Sequence, residues 1–250
     1  MKPLNILMNI PNAGFHNSIY RGKDITDLFY DGTLSKQIAA ETFDDIFIGD
    51  YIIGKNSNRK YLVADINYRL HTGDTECTTP HILMIPEKVM GTSYMNDSST
   101  STGAYAESKM RKENLEGFRQ TIRNDFYNSH ILNHREYFQD AVTDNYASSG
   151  NWYDSDIELM NEFMVYGSLI YSPARTNAIN SHVETIDSTQ LAIFKMRADL
   201  IIGFDNTART GYWLRDVANN MGFAAIGING LPNAFYSSDW YGVRPAFLVY

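Results

Sequence analysis

Residues 211–250 have the sequence GYWLRDVANNMGFAAIGINGLPNAFYSSDWYGVRPAFLVY. One end, Tyr212–Arg215, combines aromatic and aliphatic residues with an arginine, which is typical of a β-strand, and the other end, Gly242–Pro245, carries a second arginine. The segment between them is rich in Asn, Ser, Gly, Phe, Tyr and Trp and has few charges. We interpret the two ends as strands that bracket a hairpin, and the segment between them as the part free to contact a partner.

Each bracket carries an arginine, Arg215 or Arg244, and the first also carries Trp213. An arginine on a strand is costly to bury unless its guanidinium is paired. Asp216, Asp199 or a backbone carbonyl could supply that pair. We therefore predict structural roles for Trp213, Arg215 and Arg244 at the edges of the hairpin.

Upstream, strand patterns come first and helical patterns follow. The strands are predicted at 46–53, 60–66 and 81–86; the first two form a hairpin through the turn at 54–58, and the third stops at Pro86. A polar loop is expected at 97–103. The helices are predicted at 108–127, at 133–142 behind a capping box of Asn133 and Glu136, and at 156–166, where Asp154 or Asp156 would cap. Strands that return after helices indicate an α+β fold in which sequence-distant strands share a sheet.

Residues 1–42 differ from the rest and contain one or two short helical patterns interrupted near Asp31 and Gly32. Such a segment is too short to hold a core of its own. We predict an anchoring arm over 1–42, docked on the main domain or on a neighbouring subunit, and a main domain over 43–250.

The bulk composition excludes several function classes. The formal net charge of −8 disfavours nucleic acid and anionic membranes. A single cysteine excludes an intrachain disulfide, and no apolar run is long enough to span a bilayer. The first residues do not resemble a signal peptide, so synthesis in a cytoplasm is expected. No standard catalytic motif is present, so we predict no enzyme and no cofactor.

One segment, 71–81, concentrates side chains that can ligate zinc. The candidates are His71, Asp74, Glu76, Cys77 and His81. Their spacing matches no standard metal motif, and a turn rich in Thr, Gly and Asp also caps itself. Asp154, Asp156 and Glu158 offer oxygen ligands for calcium, but helix capping explains them equally well. We therefore predict no metal site.

The C-terminal pattern, Tyr212-Trp213-Leu214-Arg215 followed by Gly242-Val243-Arg244-Pro245-Ala246, resembles the end of a phage and prophage virion domain family. Further similar segments lie at 49–51, 73–79, 129–135, 147–153, 158–162 and 164–167, so the resemblance covers about residues 42–250. It implies a C-type-lectin-like fold, shared with formylglycine-generating enzymes, in a virion or tail-associated protein that contacts the host surface.

Two activities found within that fold do not carry over to this sequence. Formylglycine-generating enzymes need two cysteines, and only Cys77 exists. Calcium-dependent sugar lectins use a Glu-Pro-Asn or Gln-Pro-Asp triplet with a Trp-Asn-Asp, whereas the corresponding triplet here is Leu231-Pro232-Asn233 and no Trp-Asn-Asp occurs. The resemblance therefore leaves a scaffold that presents a hairpin.

We hypothesise a homo-oligomeric bacteriophage virion protein of a tail, collar or head fibre, which displays this domain to bind a host-surface glycan or protein. Residues 1–42 would bind other virion proteins. The alternatives are a purely architectural decoration or connector subunit, and a hydrolase of surface polysaccharide. The expected contact residues are polar or aromatic members of the bracketed segment: Asn219, Asn220, Phe223, Asn229, Asn233, Phe235, Tyr236, Ser237, Ser238, Asp239 and Trp240.

Overall fold

A computed structural model describes residues 13–143, 146–172 and 189–250, with the backbone alone for 140–143 and 146–149. The described chain is mixed α and β, which confirms the α+β prediction. Its strands are β1 (Tyr51–Ile53), β2 (Lys60–Ile66), β3 (Ile82–Pro86), β4 (Gly91–Ser93), β5 (His134–Thr143), β6 (Tyr146–Ser155), β7 (Ile157–Leu159), β8 (Tyr212–Asn219), β9 (Gly222–Ile226), β10 (Pro232–Tyr236), β11 (Tyr241–Val243) and β12 (Pro245–Val249).

The helices are short, apart from one. They are α1 (Ala13–His16), α2 (Thr26–Tyr30), α3 (Thr33–Ala39), α4 (Ala104–Glu107), α5 (Glu116–Phe126), α6 (Glu162–Tyr166) and α7 (Ala192–Met196). A π-helical turn (Met110–Asn114) leads into α5, and 3-10 turns lie at Asn128–His130 and Ala198–Ile201.

The first sheet has the order β1-β2-β3-β12-β7, and its pairs are antiparallel. The C-terminal strand β12 therefore lies inside the sheet, between β3 and β7, as expected for sequence-distant strands. On one face the rings of Tyr61 and Phe247 pack against Phe126 of α5, which in turn contacts Phe29 of α2. These aromatic contacts attach the helices to the sheet.

The second sheet has the order β10-β9-β8-β11-β4 and contains both C-terminal brackets. The brackets are direct neighbours, because β8 and β11 run parallel with Tyr212 beside Gly242. The amide of Gly242 donates to the carbonyl of Gly211 at 3.0 Å. A Cβ on Gly242 would overlap that carbonyl, so only glycine allows the two brackets to approach so closely.

Both faces of the second sheet are buried. Tyr212, Leu214, Ala224 and Ile226 belong to the main core that the two sheets share. The alternate residues belong to a second core, which also includes Tyr105 of α4 and Phe138 of β5. Its members from the second sheet are Trp213, Val217, Phe223, Ala225 and Val243.

The described part of the predicted arm packs into the main core. Helices α2 and α3 are separated at Gly32, as predicted, and bury Phe29, Leu34 and Ile38 there. The chain before them joins the edge of the first sheet, where the amide of Tyr51 donates to the carbonyl of Lys23 at 2.9 Å. The division at residue 42 therefore does not separate two hydrophobic cores.

Several local predictions are confirmed: the β1–β2 hairpin, β3 ending at Pro86, the loop at 97–103 and the helix that contains α5. The helix predicted at 133–142 is wrong. That segment is β5, which pairs with β6 and buries His134, Glu136 and Phe138 at the period of a strand.

The helix predicted at 156–166 is also wrong in its first half. Its start is β7, which pairs with β12, and only α6 is helical. The cap of α6 is Asn161, whose side-chain oxygen accepts from the amide of Met164 at 2.7 Å. Asp154 and Asp156 lie before β7 and so do not cap this helix.

Candidate recognition surface

The turn between β10 and β11 presents two large aromatic side chains to solvent. We call residues 236–240 the aromatic turn. Its backbone closes through the amide of Asp239, which donates to the carbonyl of Tyr236 at 2.9 Å. Tyr236 is 54% exposed and Trp240 is 65% exposed, so both rings are available to a partner.

Ser237 holds the aromatic turn against the polar loop at 97–103. It is fully buried; its hydroxyl lies 2.9 Å from the carbonyl of Ser98 and accepts from the amide of Thr100 at 2.8 Å. Its carbonyl accepts from the amides of Met95 and Asn96 at 2.8 and 2.9 Å. Ser237 is therefore a structural residue, and its inclusion in the predicted contact set is wrong.

The indole of Trp240 is oriented by Tyr94, whose ring meets it edge-on with a centroid separation of 5.2 Å. The ammonium of Lys109 lies 5.4 Å from the Tyr94 centroid and binds the carboxylate of Asp97 at 2.8 Å. Across the turn, the ring centroids of Phe235 and Tyr241 lie 4.2 Å apart with the rings tilted by 33°. Fixed neighbours on both sides reduce the entropy that Trp240 would lose on binding.

The remaining predicted contact residues divide into two groups at opposite ends of the β9–β10 hairpin. Tyr236 pairs with Gly222, so the β8–β9 turn with Asn219 and Asn220 lies beside the aromatic turn, as do Ser238 and Asp239 in sequence. Asn229 and Asn233 lie toward the other end. Five residues of strand separate the ends by about 17 Å, so the set does not form one surface.

Phe223 is a second correction to the contact set. It is fully buried in the second core, opposite Phe235 in the β9–β10 register, and cannot touch a partner. Phe235 itself is only partly exposed, because it packs between Trp213 and Tyr241. Alternation along β9 and β10 directs these side chains inward.

The two bracket arginines and Trp213 are buried and paired. Arg215 donates to the carboxylate of Glu136 and to the carbonyl of Leu159. A backbone carbonyl was expected as a partner, but Glu136 was not. Asp199, another expected partner, binds Arg197 instead. The indole N–H of Trp213 donates to the carbonyl of Ser93 at 2.9 Å.

Arg244 has no exposed surface and takes backbone carbonyls as its partners. Its guanidinium donates to Pro86 at 2.9 Å, to Leu200 at 2.8 Å and to Glu87 at 3.3 Å. Pro86 and Glu87 are consecutive, so these carbonyls come from two parts of the chain. Arg244 thus ties the end of β3 and the 3-10 turn at Ala198–Ile201 to the second bracket.

The candidate metal ligands do not converge. His71 binds Glu76 at 2.6 Å at the surface, whereas Asp74 binds Arg135 at 2.7 Å. His81 is buried, accepts from the amide of Arg69, and has its pKa lowered to about 3 by burial. Cys77 is half-buried beside the carbonyl of Thr79. Among the described residues, no three His, Cys, Asp or Glu side chains are placed to hold a metal ion.

The calcium candidates are likewise committed to protein partners. Glu158 is buried and binds Arg111 at 3.1 Å and Arg119 at 3.0 Å. Asp156 binds Arg123 at 2.6 Å, and Asp154 binds Arg135 at 3.0 Å. Glu158 and Asp156 thus fasten this segment to α5 and the π-helical turn before it, whereas Asp154 links β6 to β5.

A groove beside Trp240 was missed from sequence. It lies between β4 and α5 and encloses about 370 Å³. Its lining residues come from four distant parts of the chain, so no local motif could indicate it: Arg59, Met90, Thr92, Ser93, Asn114, Gly117, Phe118, Thr121 and Trp240.

Comparison of the chain with family models, with curated proteins and with solved structures finds no match. Within the described residues, no helix has the length and apolar character needed to cross a membrane.

Proposed function

We propose that this chain is a bacteriophage virion structural protein whose C-type-lectin-like domain binds the host surface through the aromatic turn. The observation that carries the binding role is the exposure of Tyr236 and Trp240 on a turn whose backbone is fixed by buried Ser237. The virion role and the fold family rest on the resemblance of the Tyr212–Arg215 and Gly242–Pro245 brackets.

Exposed aromatic rings with a polar tip favour recognition, because they give a large contact area at a small cost in rotamer freedom. Here the two rings lie among Asn, Ser and Asp side chains that can hydrogen-bond a partner. Because the turn is bonded to the 97–103 loop, the surface needs little ordering when a partner binds. These features suit adhesion to a repeated surface ligand.

The proposal is tested by replacing Tyr236 and Trp240 with alanine and measuring adsorption of the purified protein to host cells. We expect at least a tenfold loss, because central aromatic residues dominate binding energy. Leu231→Ala is a matched control, since Leu231 is 61% exposed at the other end of the hairpin. Unchanged adsorption by the double variant, with the melting temperature preserved, would contradict the proposal.

A second candidate function, an architectural connector, is favoured by the apolar tip of the β9–β10 loop. Ile228 and Leu231 are each 61% exposed there, far from the aromatic turn. Such a tip suits contact with a neighbouring virion subunit, including another copy of this chain. Replacing both with serine should reduce incorporation into particles while particles that do incorporate the protein still adsorb; undiminished incorporation would count against this role.

The proposed anchoring role of residues 1–42 cannot be tested by deleting the whole segment. Removing all of 1–42 would take Ile25, Phe29, Leu34 and Ile38 out of the main core, so loss of incorporation would only report unfolding. A truncation that begins at Ala13 keeps those residues. If that truncated protein is still incorporated normally, the virion contact does not depend on residues 1–12.

A further inference from the structure

The groove beside Trp240 has an indole on one side and α5 on the other. Trp240 forms the exposed wall and Thr92 of β4 lies at the edge, while Met90 and Phe118 supply apolar surface. We call this the Trp240 groove. Its volume of about 370 Å³ is that of a site for a small ligand or for one part of a longer chain.

Gly117 keeps the helical wall of this groove open. It is exposed, and a Cβ built there would have no described atom within 4 Å. Packing therefore does not require glycine at this position, although glycine weakens a helix relative to alanine. Gly91 of β4 differs, because its Cβ would lie 2.9 Å from the ring of Phe118. Gly117, whose glycine packing does not explain, is thus a residue that lines the groove.

The helix is also irregular at this point. The π-helical turn at Met110–Asn114 ends on Asn114, which lines the groove. Single π turns within helices are rare and occur frequently at functional sites. The side-chain amide of Asn114 donates to the backbone carbonyl of Tyr94 at 2.8 Å. Tyr94 is also the residue whose ring contacts Trp240, so Asn114 and Trp240 are both held through Tyr94.

The polar groups around the groove have fixed directions. The hydroxyl of Thr121 donates to the carbonyl of Gly117 at 3.0 Å, and the guanidinium of Arg59 donates to the carbonyl of Met90 at 2.8 Å. A hydroxyl that donates once can still accept, while a guanidinium has five N–H groups and an amide has two. Asn114, Thr121 and Arg59 thus offer both donors and acceptors around one indole.

We propose that the Trp240 groove binds a saccharide ring of a bacterial surface polysaccharide, without calcium. The apolar face of the ring would stack on the indole of Trp240, and its hydroxyls would bond to Asn114, Thr121 and Arg59. This combination of one aromatic platform with directed polar donors and acceptors matches the mixed surface of a sugar. The inference rests on the proposed function and names its ligand class.

A peptide fits the same groove poorly. Strand addition needs a long open edge, but β4 has three residues and the carbonyl of Ser93 already accepts from Trp213. A docked helix needs a row of apolar pockets, whereas this lining alternates apolar and polar side chains.

The test uses the full chain on a printed array of bacterial capsular and lipopolysaccharide O-chain saccharides, followed by calorimetry with the strongest binder. We expect at least tenfold weaker binding for Trp240→Ala and for Gly117→Gln, which fills the groove with a good helix former. Gln120→Ala is the matched control, because Gln120 is exposed on α5 outside this groove, and it should bind like the unmodified protein.

Gly117→Ala separates binding from folding. It should raise the melting temperature by about 2 °C, because alanine favours the helix, while weakening saccharide binding. A site with a purely structural glycine would show the stabilisation without the loss of affinity. A melting temperature that falls would also contradict the assignment of Gly117 to open space.

Two results of the binding assays would each overturn the saccharide site: no binding on the array, or Gly117→Gln binding as tightly as the unmodified protein. If adsorption to cells still depends on Tyr236 and Trp240 in either case, host recognition stands and only the groove fails. Adsorption that is lost after protease treatment of the cells, but kept after periodate oxidation of their sugars, would assign a protein ligand and also overturn it. If the double variant adsorbs normally, the proposed function itself fails.

Discussion

The replacement Glu136→Gln tests the charged cluster that joins β5 to the rest of the fold. Glu136 is 6% exposed, and one of its oxygens accepts from Arg69 at 2.8 and 3.0 Å. The other oxygen accepts from Arg215 of the first bracket. Both arginines are buried as well, so one carboxylate is shared by two guanidinium groups that are shielded from water.

Removing one partner of a buried ion pair costs about 3–5 kcal/mol, because the remaining charge stays buried without compensation. Here two buried guanidinium groups would lose this carboxylate, and the amide of glutamine can accept hydrogen bonds but carries no charge. We therefore expect a loss of about 3–5 kcal/mol in the free energy of unfolding at pH 7. That is a large fraction of the ~5–15 kcal/mol available to a folded protein.

The loss should depend on pH in a defined direction. Burial acts to raise the pKa of Glu136, but the charges of Arg215 and Arg69 outweigh it and hold this pKa well below its usual range. A carboxyl with a lowered folded-state pKa stabilises the protein above its unfolded pKa, near 4.5, and loses that contribution as the pH falls further. The difference between the variant and the unmodified protein should therefore shrink below about pH 4.5.

The assay is urea unfolding followed by circular dichroism and tryptophan fluorescence at pH 7 and at pH 4. Glu116→Gln is the control, since its side chain is 55% exposed and pairs with Arg123 at the surface. The control should lose less than about 1 kcal/mol. The reasoning is refuted if Glu136→Gln also loses less than about 1 kcal/mol at pH 7, or if its loss grows as the pH is lowered.

Three further outcomes are expected. Arg244→Lys should lower the free energy of unfolding by about 2–4 kcal/mol in urea titrations, because an ammonium cannot reach the three carbonyls that the guanidinium bonds; a loss within error would contradict the role of Arg244 as a latch. Gly49→Ala should lower the melting temperature more than Gly32→Ala: φ is near +80° at both, but only at Gly49 would a Cβ overlap Tyr20. His81 should stay neutral in an NMR titration down to about pH 4, since burial lowers its pKa to about 3. Because the unfolded chain binds this proton already near pH 6.5, His81 should lower the free energy of unfolding as the pH falls below about 6.5.

The sequence predicts well those elements that are determined by residues within the element itself or in the adjoining turn. The β1–β2 hairpin is marked by its turn at 54–58, β3 ends where Pro86 removes a donor, and α5 keeps one apolar face. The α+β class follows from their order. Each signal lies within about 20 residues, which is the range over which periodicity and turn chemistry act.

The β5 strand shows why other elements escape such reasoning. Asn133 and Glu136 imitate a capping box, and buried His134 and Glu136 hide the strand alternation because a charged residue suggests an exposed position. The partners that allow Glu136 to be buried, Arg69 and Arg215, are 67 and 79 residues away. Tertiary pairing across such distances overrides local propensity and leaves no short-range trace.

The candidate site was predicted only in part, for the same reason. The aromatic segment around Tyr236 and Trp240 stands out in the sequence, but burial of Phe223 and Ser237 follows from pairing and loop contacts that are visible only in the fold. Gly117, more than 100 residues before Trp240, carries no signal in a helix that tolerates it.

The strands of the second sheet hold the aromatic turn at both of its ends. Four residues separate β10 from β11, and both strands are held: β10 by β9, and β11 by β8 and β4. Arg244 follows β11 directly and is fastened to backbone carbonyls from two other parts of the chain. A short turn with both ends fixed in a sheet has few conformations to lose. The firm brackets therefore explain how so aromatic a segment can remain exposed in one defined shape, which is the condition for selective binding.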